Sequence, residues 1–150
     1  MSDLAQRTEE VLTQIVEKMH VSASVEVSQS DSTIDAAIEG EDAAILIGRE
    51  GRTLDALQLL VNIMVNRGRE EDRVRVVVDV EGYKGKRAEN LEQLANSLAQ
   101  KVAQEKQPLS MEPMNAFDRR IIHMALREST EVITESQGEG SERHIVIKPL

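Results

Sequence analysis

The sequence predicts an α+β protein of two small domains, the first with a three-stranded sheet whose helices lie on one face. Three observations predict this class. Segments with the apolar and polar alternation of half-buried strands stand between segments with helical periodicity. A stretch rich in glycine and lysine at 82–86 interrupts that pattern. Hydrophobic residues make up 40% of the 150-residue chain, which is enough for a packed core.

The first domain, expected over residues 1–81, begins with a helix and a hairpin. Residues 3–19 repeat apolar side chains at helical spacing, and Ser2 can cap that helix. Residues 21–28 and 34–39 each alternate apolar and polar side chains, as half-buried strands do. A turn-forming cluster of glutamine, serine and aspartate lies between them, which favours a hairpin.

Two helices joined by a two-glycine turn are expected next, followed by a third strand. Residues 43–47 predict a short helix that Asp42 can cap, and Gly48 lies where a helix end favours a left-handed conformation. A longer helix to about residue 66 follows the turn. Its expected apolar face consists of Leu54, Leu57, Val61, Met64 and Val65. Valine at every second position of 74–80 predicts the third strand.

The second domain is expected over residues 87–150, after a linker at 82–86. Its expected elements are a helix at 87–106, an extended piece at 108–112, a helix to residue 126 capped by Asn115, and strands at 132–135 and 144–147. The expected apolar face of the Asn115 helix consists of Phe117, Ile121, Met124 and Ala125, supported by Ile122 and Leu126. This arrangement predicts a second, smaller α+β unit.

The composition excludes several classes of protein. There are no cysteines, so disulfides, thiolate zinc sites and cysteine nucleophiles are excluded, and no His, Asp or Glu spacing indicates a metal. The aromatic residues are Tyr83 and Phe117, 1% of the chain, which disfavours a stacked platform of the RRM type. The first residues lack the apolar core of a signal peptide, and no apolar run approaches the ~18 residues that span a bilayer. We expect a cytoplasmic protein without a cofactor, a metal or a membrane span.

The net charge of −9 argues against nucleic-acid binding unless the charge is unevenly distributed. Residues 1–41 carry two basic and nine acidic side chains, whereas residues 82–127 carry eight basic and five acidic ones. Basic groups are therefore enriched in the part of the chain that holds two of the three candidate sites. The acidic remainder of the chain is expected to weaken non-specific adhesion to nucleic acid.

The turn between the two central helices is the first candidate site. Its residues are Ile47, Gly48, Arg49, Glu50, Gly51 and Arg52. Because Gly48 and Gly51 lack a Cβ, a phosphodiester backbone can approach closely, and the next helix points N–H groups toward it. Arg49 and Arg52 would attract phosphate, while Glu50 opposes it, points away or accepts from a base edge. A corner in which the glycines only relieve steric clashes is the alternative. A Walker A loop is excluded because no Gly-Lys-Ser/Thr follows at the required spacing.

The helix that begins after Asn115 carries the second candidate site. Arg119, His123 and Arg127 lie at i, i+4 and i+8 and form a polar stripe, with Arg120 beside them. Arginines that stay charged, with a histidine whose reference pKa is ~6.5, suit a phosphate-binding stripe. On periodicity alone, a solvated helix face with a surface histidine is the better interpretation.

Lys84, Lys86 and Arg87 are the third candidate site, at the start of a predicted helix. They would hold phosphate between the two domains. Cations at a helix start are disfavoured by ~0.3–1 kcal/mol through the helix dipole, so an ordinary hinge is an equal alternative.

Two motifs carry a resemblance to known families. The element order of the first domain, with the G-x-x-G of residues 47–52, resembles a type II KH domain, whose loop clamps about four nucleotides of single-stranded RNA or DNA. Residues 114–123 resemble the Arg-x-x-x-His signature of a small single-stranded nucleic-acid-binding domain, with Arg119 and His123 as its defining residues. Residues 135–147 are similar to that domain's C-terminal hairpin in one bacterial family. In this order, the two domains resemble the bacterial Jag family over essentially the whole chain.

The resemblance to the Jag family implies a non-enzymatic regulatory protein that binds single-stranded RNA, or single-stranded DNA. It implies post-transcriptional control linked to cell-envelope growth, elongation or division, with a second small KH-domain protein as partner. Many Jag proteins carry an extra N-terminal domain, and this chain is expected to be a short form without it. A protein–protein adaptor with weak or lost nucleic-acid binding is the alternative, favoured by the net charge, by Glu50 and by the few aromatics.

Overall fold

The structure is a computed structural model that describes residues 2–150. The chain divides into two compact units, one ending at Lys84 and the other beginning at Gly85. Each unit has its own three-stranded sheet and its own cluster of buried hydrophobic residues. The predicted α+β class is therefore confirmed.

The first unit contains the predicted order of elements, except that the short helix expected at 43–47 is a 3₁₀ turn that the Asp42 side chain does not cap. These are α1 (Asp3–Lys18), β1 (Ser24–Ser30), β2 (Thr33–Glu39), 3₁₀ turns at Ala43–Leu46 and Arg49–Gly51, α2 (Arg52–Val65) and β3 (Arg75–Val80). The sheet order is β1-β2-β3, with β1 antiparallel and β3 parallel to the central strand. Ser2 caps α1, as predicted, by accepting from the N–H of Ala5 at 3.1 Å.

Alternation along the strands places one face of the first sheet in the core. Ile34, Ala36 and Ile38 of β2 are buried, and they are in register with the buried valines of β3. Leu12 of α1 and Val61 of α2 are fully buried in the same core. The helices therefore lie on one face of the sheet, as the sequence predicted.

Three side-chain amides fasten α2 to the outer edge of β3. Asn62 accepts from the N–H of Val76 at 2.9 Å and donates to its carbonyl at 2.7 Å. Asn66 bonds Val74 in the same two-way manner, and Gln58 accepts from the β3 N–H two residues beyond Val76. Because β3 is an edge strand, these bonds satisfy backbone groups that would otherwise face solvent or pair with another strand. They also fix α2, and the turn that precedes it, against the sheet.

The second unit is smaller and equally regular. Its elements are α3 (Tyr83–Glu105), whose first two residues belong to the first unit, β4 (Leu109–Ser110), α4 (Ala116–Leu126), β5 (Val132–Gln137), a 3₁₀ turn at Gly140–Glu142 and β6 (His144–Pro149). The sheet order is β4-β6-β5, with both pairings antiparallel. Its core is formed by Leu91, Ala95, Val102, Met111, Ile122, Leu126, Val132, Ile145 and Ile147.

The two units divide within the predicted linker at 82–86, but residues 83–86 are not an irregular segment, because they form the first turn of α3. The glycines suggested a break, but one local contact and one contact distant in the sequence hold this turn in a helix. The Asp79 carboxylate accepts from the backbone N–H of Lys84 at 3.2 Å, and the Lys84 ammonium donates to Gln58 at 2.6 Å. Tertiary contacts thus outweigh the low helix propensity of Gly85.

Two predicted apolar faces are also corrected. On α2, Met64 is partly exposed, whereas the other four predicted residues are buried. On α4, Phe117 and Met124 are exposed and the buried face is centred on Asp118, Ile122 and Leu126. A carboxylate at the centre of a buried face hides the pattern from sequence analysis, which assigns charged residues to solvent.

Candidate nucleic-acid interface

The glycine turn requires both of its glycines. Gly48 has φ 71° and ψ −171°, a region that essentially only glycine occupies, and a Cβ there would lie 2.1 Å from Thr53 Oγ1. Gly51 is left-handed, with φ 78° and ψ 12°, and a Cβ there would lie 2.8 Å from the Tyr83 ring. The prediction of a positive φ at Gly48 is correct, but its ψ lies outside the left-handed helical region. Thr53 and Tyr83 thus pack against the turn, and no pattern in the sequence predicts these contacts.

The turn presents its charged side chains to solvent at the start of α2. The N–H of Leu54 donates to the Ile47 carbonyl at 3.1 Å and closes the turn, while no side chain caps the helix. Arg49 is exposed, and the Arg52 side chain is 76% exposed. Such a helix start, with backbone N–H groups and two cations, is suited to an anion.

The three basic residues at the start of α3 have different environments. Lys84 is half-buried, and this burial lowers the pKa of its ammonium even though Asp79 and Asp55 act to raise it. Arg87 donates from Nε and from a terminal nitrogen to one Asp118 oxygen, at 3.2 and 2.8 Å. Lys86 is exposed. The structure thus gives Lys84 and Arg87 partners within the protein and leaves Lys86 open to solvent.

The Asn115 cap and the Arg119/His123 pair shape the second candidate site. Asn115 accepts from the N–H of Asp118 at 2.8 Å, as predicted. Arg119 donates to the Met114 carbonyl at 2.5 Å, which ties α4 to the segment before it. His123 Nδ1 lies 2.6 Å from the Thr134 hydroxyl on β5. The two signature residues therefore also hold α4 in place.

The electrostatic environment of His123 involves a residue that the sequence analysis did not select. Burial, followed by the nearby Arg119 and Arg143 guanidinium groups, lowers the pKa of His123 from its ordinary value of 6.5. Arg143 comes from the segment just before β6 and donates to the Gly138 carbonyl at 2.8 Å. No local pattern in the sequence predicts that Arg143 lies near His123. The pairing of β5 with β6 brings the segment that carries Arg143 into this position.

Arg120 and Arg127 are exposed on α4, unlike the half-buried Arg119 and His123. Arg127 contacts the Met124 sulfur at 3.9 Å and the Glu128 carboxylate at 3.3 Å. The predicted stripe thus divides into two half-buried residues with partners inside the protein and two exposed ones. Arg120 and Arg127 are therefore the more accessible to a ligand.

Two further features of residues 2–150 bear on function. No helix in this range is both long enough and apolar enough to cross a bilayer. Within the same residues, no three His, Asp or Glu side chains converge as metal ligands.

Comparison with protein families assigns each unit to a nucleic-acid-binding domain class. Residues 6–78 match the KH domain of KhpA/KhpB, and residues 89–149 match the R-3-H domain, which is named for the Arg-x-x-x-His signature. The first match includes the glycine turn, and the second includes α4. A KH domain followed by an R-3-H domain is therefore the class that fold and sequence define.

Curated relatives narrow the class to one family. The RNA-binding protein KhpB of Bacillus subtilis is 40% identical over 147 residues, which cover 97% of this chain and 70% of that protein. The protein of the same name from Clostridium symbiosum is 43% identical over 140 residues, 92% of this chain and 63% of that protein. A third, from Lactiplantibacillus plantarum, is 32% identical over 133 residues, 89% of this chain and 41% of that protein. The chain belongs to the KhpB family. KhpB proteins are the Jag family, so the resemblance to that family is confirmed.

Proposed function

We propose that this protein binds single-stranded RNA through the glycine turn and through α4, without catalysing a reaction. The observation that carries the proposal is the turn, in which exposed Arg49 and Arg52 flank the uncapped start of α2. Cations and backbone N–H groups together bind phosphate, and the glycines allow close approach. The relatives named RNA-binding protein KhpB support the same activity.

Charge reversal at the arginines tests this site more cleanly than substitution of a glycine. Gly48→Asp would place its Cβ against Thr53 and distort the turn, so a loss of binding would be ambiguous. Arg49→Glu with Arg52→Glu leaves the backbone intact. We expect at least about tenfold weaker binding of a labelled single-stranded RNA in fluorescence anisotropy, because charge-assisted hydrogen bonds of about 1.5–3 kcal/mol are lost.

Lys18→Glu with Lys101→Glu is the matched control, since it reverses two exposed charges outside the proposed site. Both double variants carry the same net charge. Equal RNA affinity of the two would show that the turn contributes only to the overall electrostatic potential and is not a binding site.

The R-3-H domain would bind an adjoining stretch of the same strand. Exposed Arg120 and Arg127 are the best-placed phosphate contacts, with His123 beside them. Two weak sites on one chain raise each other's effective concentration, so together they bind more tightly than either alone. This linkage offsets the unfavourable net charge of −9.

An exposed apolar arc on α2 supports a protein partner as well. The arc consists of Leu59, Leu60, Ile63 and Met64, and the Leu59 and Ile63 side chains are 63% and 59% exposed. Contiguous apolar surface of this kind marks an interaction site. We propose that it packs against a second small KH-domain protein, because the matching domain family includes both KhpA and KhpB.

Leu59→Lys with Ile63→Lys tests the partner surface. Size-exclusion chromatography with light scattering would measure association with the small KH-domain protein encoded in the same genome. We expect the variant to lose the complex while its own fold is retained, since neither side chain is buried. A complex of unchanged stability would remove the arc from the interface and leave the RNA sites untouched.

The cellular role that we propose is cytoplasmic post-transcriptional regulation, linked to growth and division of the cell envelope. Membership of the KhpB family and the two proposed RNA sites support the RNA-binding part of this role. Sequencing of RNA crosslinked to the protein in cells tests it. Enrichment of transcripts for envelope synthesis is the expected result, and an unselective RNA sample would contradict it.

A further inference from the structure

The exposed side of α4 carries an aromatic ring in an unusual position. Phe117 is the one phenylalanine of the chain, and its side chain is 44% exposed rather than packed in the core. Met124, two helical turns further on, is 50% exposed. Arg120 and Arg127 lie beside them at i+3 and i+10 from Phe117. We call these four residues the Phe117 face.

The Phe117 face does not serve the packing of its own unit. The buried side of α4 is formed by Asp118, Ile122 and Leu126, and Phe117 is not among the residues that pack on that core. Burial of a phenyl ring is favourable, so a ring left 44% exposed gives up part of that stabilisation. The ring is therefore accessible to a ligand, and two exposed arginines lie beside it.

The chemistry of the face points to one kind of ligand. A nucleobase offers a flat π-surface that stacks on a phenyl ring, with phosphates on either side that pair with guanidinium groups. The apolar part of the face is one ring and one thioether, a surface that matches a single base. Its area is far smaller than the ~800 Å² that each partner buries in a stable protein interface.

We propose that Phe117 is a base-stacking platform of the R-3-H domain, with Arg120 and Arg127 binding the phosphates that flank the stacked nucleotide. The proposal rests on the proposed RNA-binding function and adds a subsite to it. Stacking accepts any base, because every base has a π-face. The subsite therefore takes single-stranded RNA with little sequence preference and excludes a duplex, whose bases are already stacked.

A tryptophan reporter tests the subsite directly. The chain contains no tryptophan, so Phe117→Trp introduces a single indole that can be excited apart from Tyr83. We expect a single-stranded oligoribonucleotide to quench this indole through stacking. An abasic oligomer of the same length and charge should bind through its phosphates and leave the emission unchanged.

Phe117→Leu completes the test, because it keeps an apolar side chain and removes the π-face. We expect it to weaken binding of the RNA by about fivefold or more and to leave binding of the abasic oligomer unchanged. Leu94→Met, at an exposed apolar position of α3 outside the proposed sites, is the control and should alter neither. The stacking subsite would be overturned if both oligomers or neither quenched the indole and Phe117→Leu bound RNA as tightly as the unchanged chain. RNA binding itself would then remain intact. Failure of the unchanged chain to bind RNA at all would overturn both proposals.

Discussion

At the scale of single residues, Glu50 is the least expected feature of the glycine turn. It has φ 55° and ψ 26°, a left-handed conformation between two glycines. Its carboxylate lies 3.9 Å from the Arg52 guanidinium. The sequence analysis left its direction open, and the structure places it beside a cation that we assign to phosphate. In the proposed site, Glu50 would compete with RNA for Arg52 and keep binding at the turn modest.

Glu50→Asn should strengthen both binding and folding. Asparagine tolerates the left-handed conformation better, and we expect the free energy of unfolding to rise by up to about 1 kcal/mol in urea titrations. Removal of the carboxylate should raise the affinity for single-stranded RNA. Glu50→Gln is the control, since it removes the charge without that conformational gain. A variant pair that binds RNA no better than the unchanged chain would show that Glu50 does not compete for Arg52.

His123 predicts a specific pH dependence of stability. Its pKa is lowered in the folded protein by burial, Arg119 and Arg143, so the unfolded chain binds the proton more readily. Stability from the neutral ring is present above pH 6.5 and is lost as the pH falls from there through the folded-state pKa. Urea unfolding between about pH 7.5 and 5.5 should show a steeper fall for the unchanged chain than for His123→Gln. Parallel curves would contradict the lowered pKa.

At the scale of elements, local patterns predicted every helix and strand, and tertiary contacts decided the rest. Alternating valines predicted β3 because a half-buried strand needs that period. The α4 pattern misled, because Asp118 is buried and pairs with Arg87, 31 residues away in the chain. A contact between residues distant in the sequence also helps to make residues 83–86 helical. The glycine turn was predictable as a motif, whereas its packing against Tyr83 was not.

The amide ladder of α2 predicts a large cost for one substitution. Asn62→Ala removes both bonds to Val76 and leaves its N–H and carbonyl without that partner. We expect the free energy of unfolding to fall by about 1–3 kcal/mol, measured by urea titration. Asn96→Ala, at an exposed position of α3, should change it by less than about 0.5 kcal/mol. Equal effects of the two variants would show that the ladder adds no stability.

At the scale of the whole molecule, each of the two small domains supplies one of the proposed RNA-binding sites. The acidic charge of the chain opposes RNA, so affinity must come from local clusters of arginine and from their linkage. Arg119 is unsuitable for testing the α4 cluster, because its removal would also release the Met114 carbonyl. Arg120 and Arg127 are exposed and can be changed without that effect.

The salt dependence of binding tests the central claim most directly. The affinity for one single-stranded RNA would be measured from about 50 to 300 mM salt for the unchanged chain, for Arg49→Ala with Arg52→Ala, and for Arg120→Ala with Arg127→Ala. We predict that each pair weakens binding and flattens the slope of log K against log salt by up to ~1.4, since each lost phosphate contact contributes ~0.7. Slopes and affinities equal to those of the unchanged chain in both variants would contradict the account.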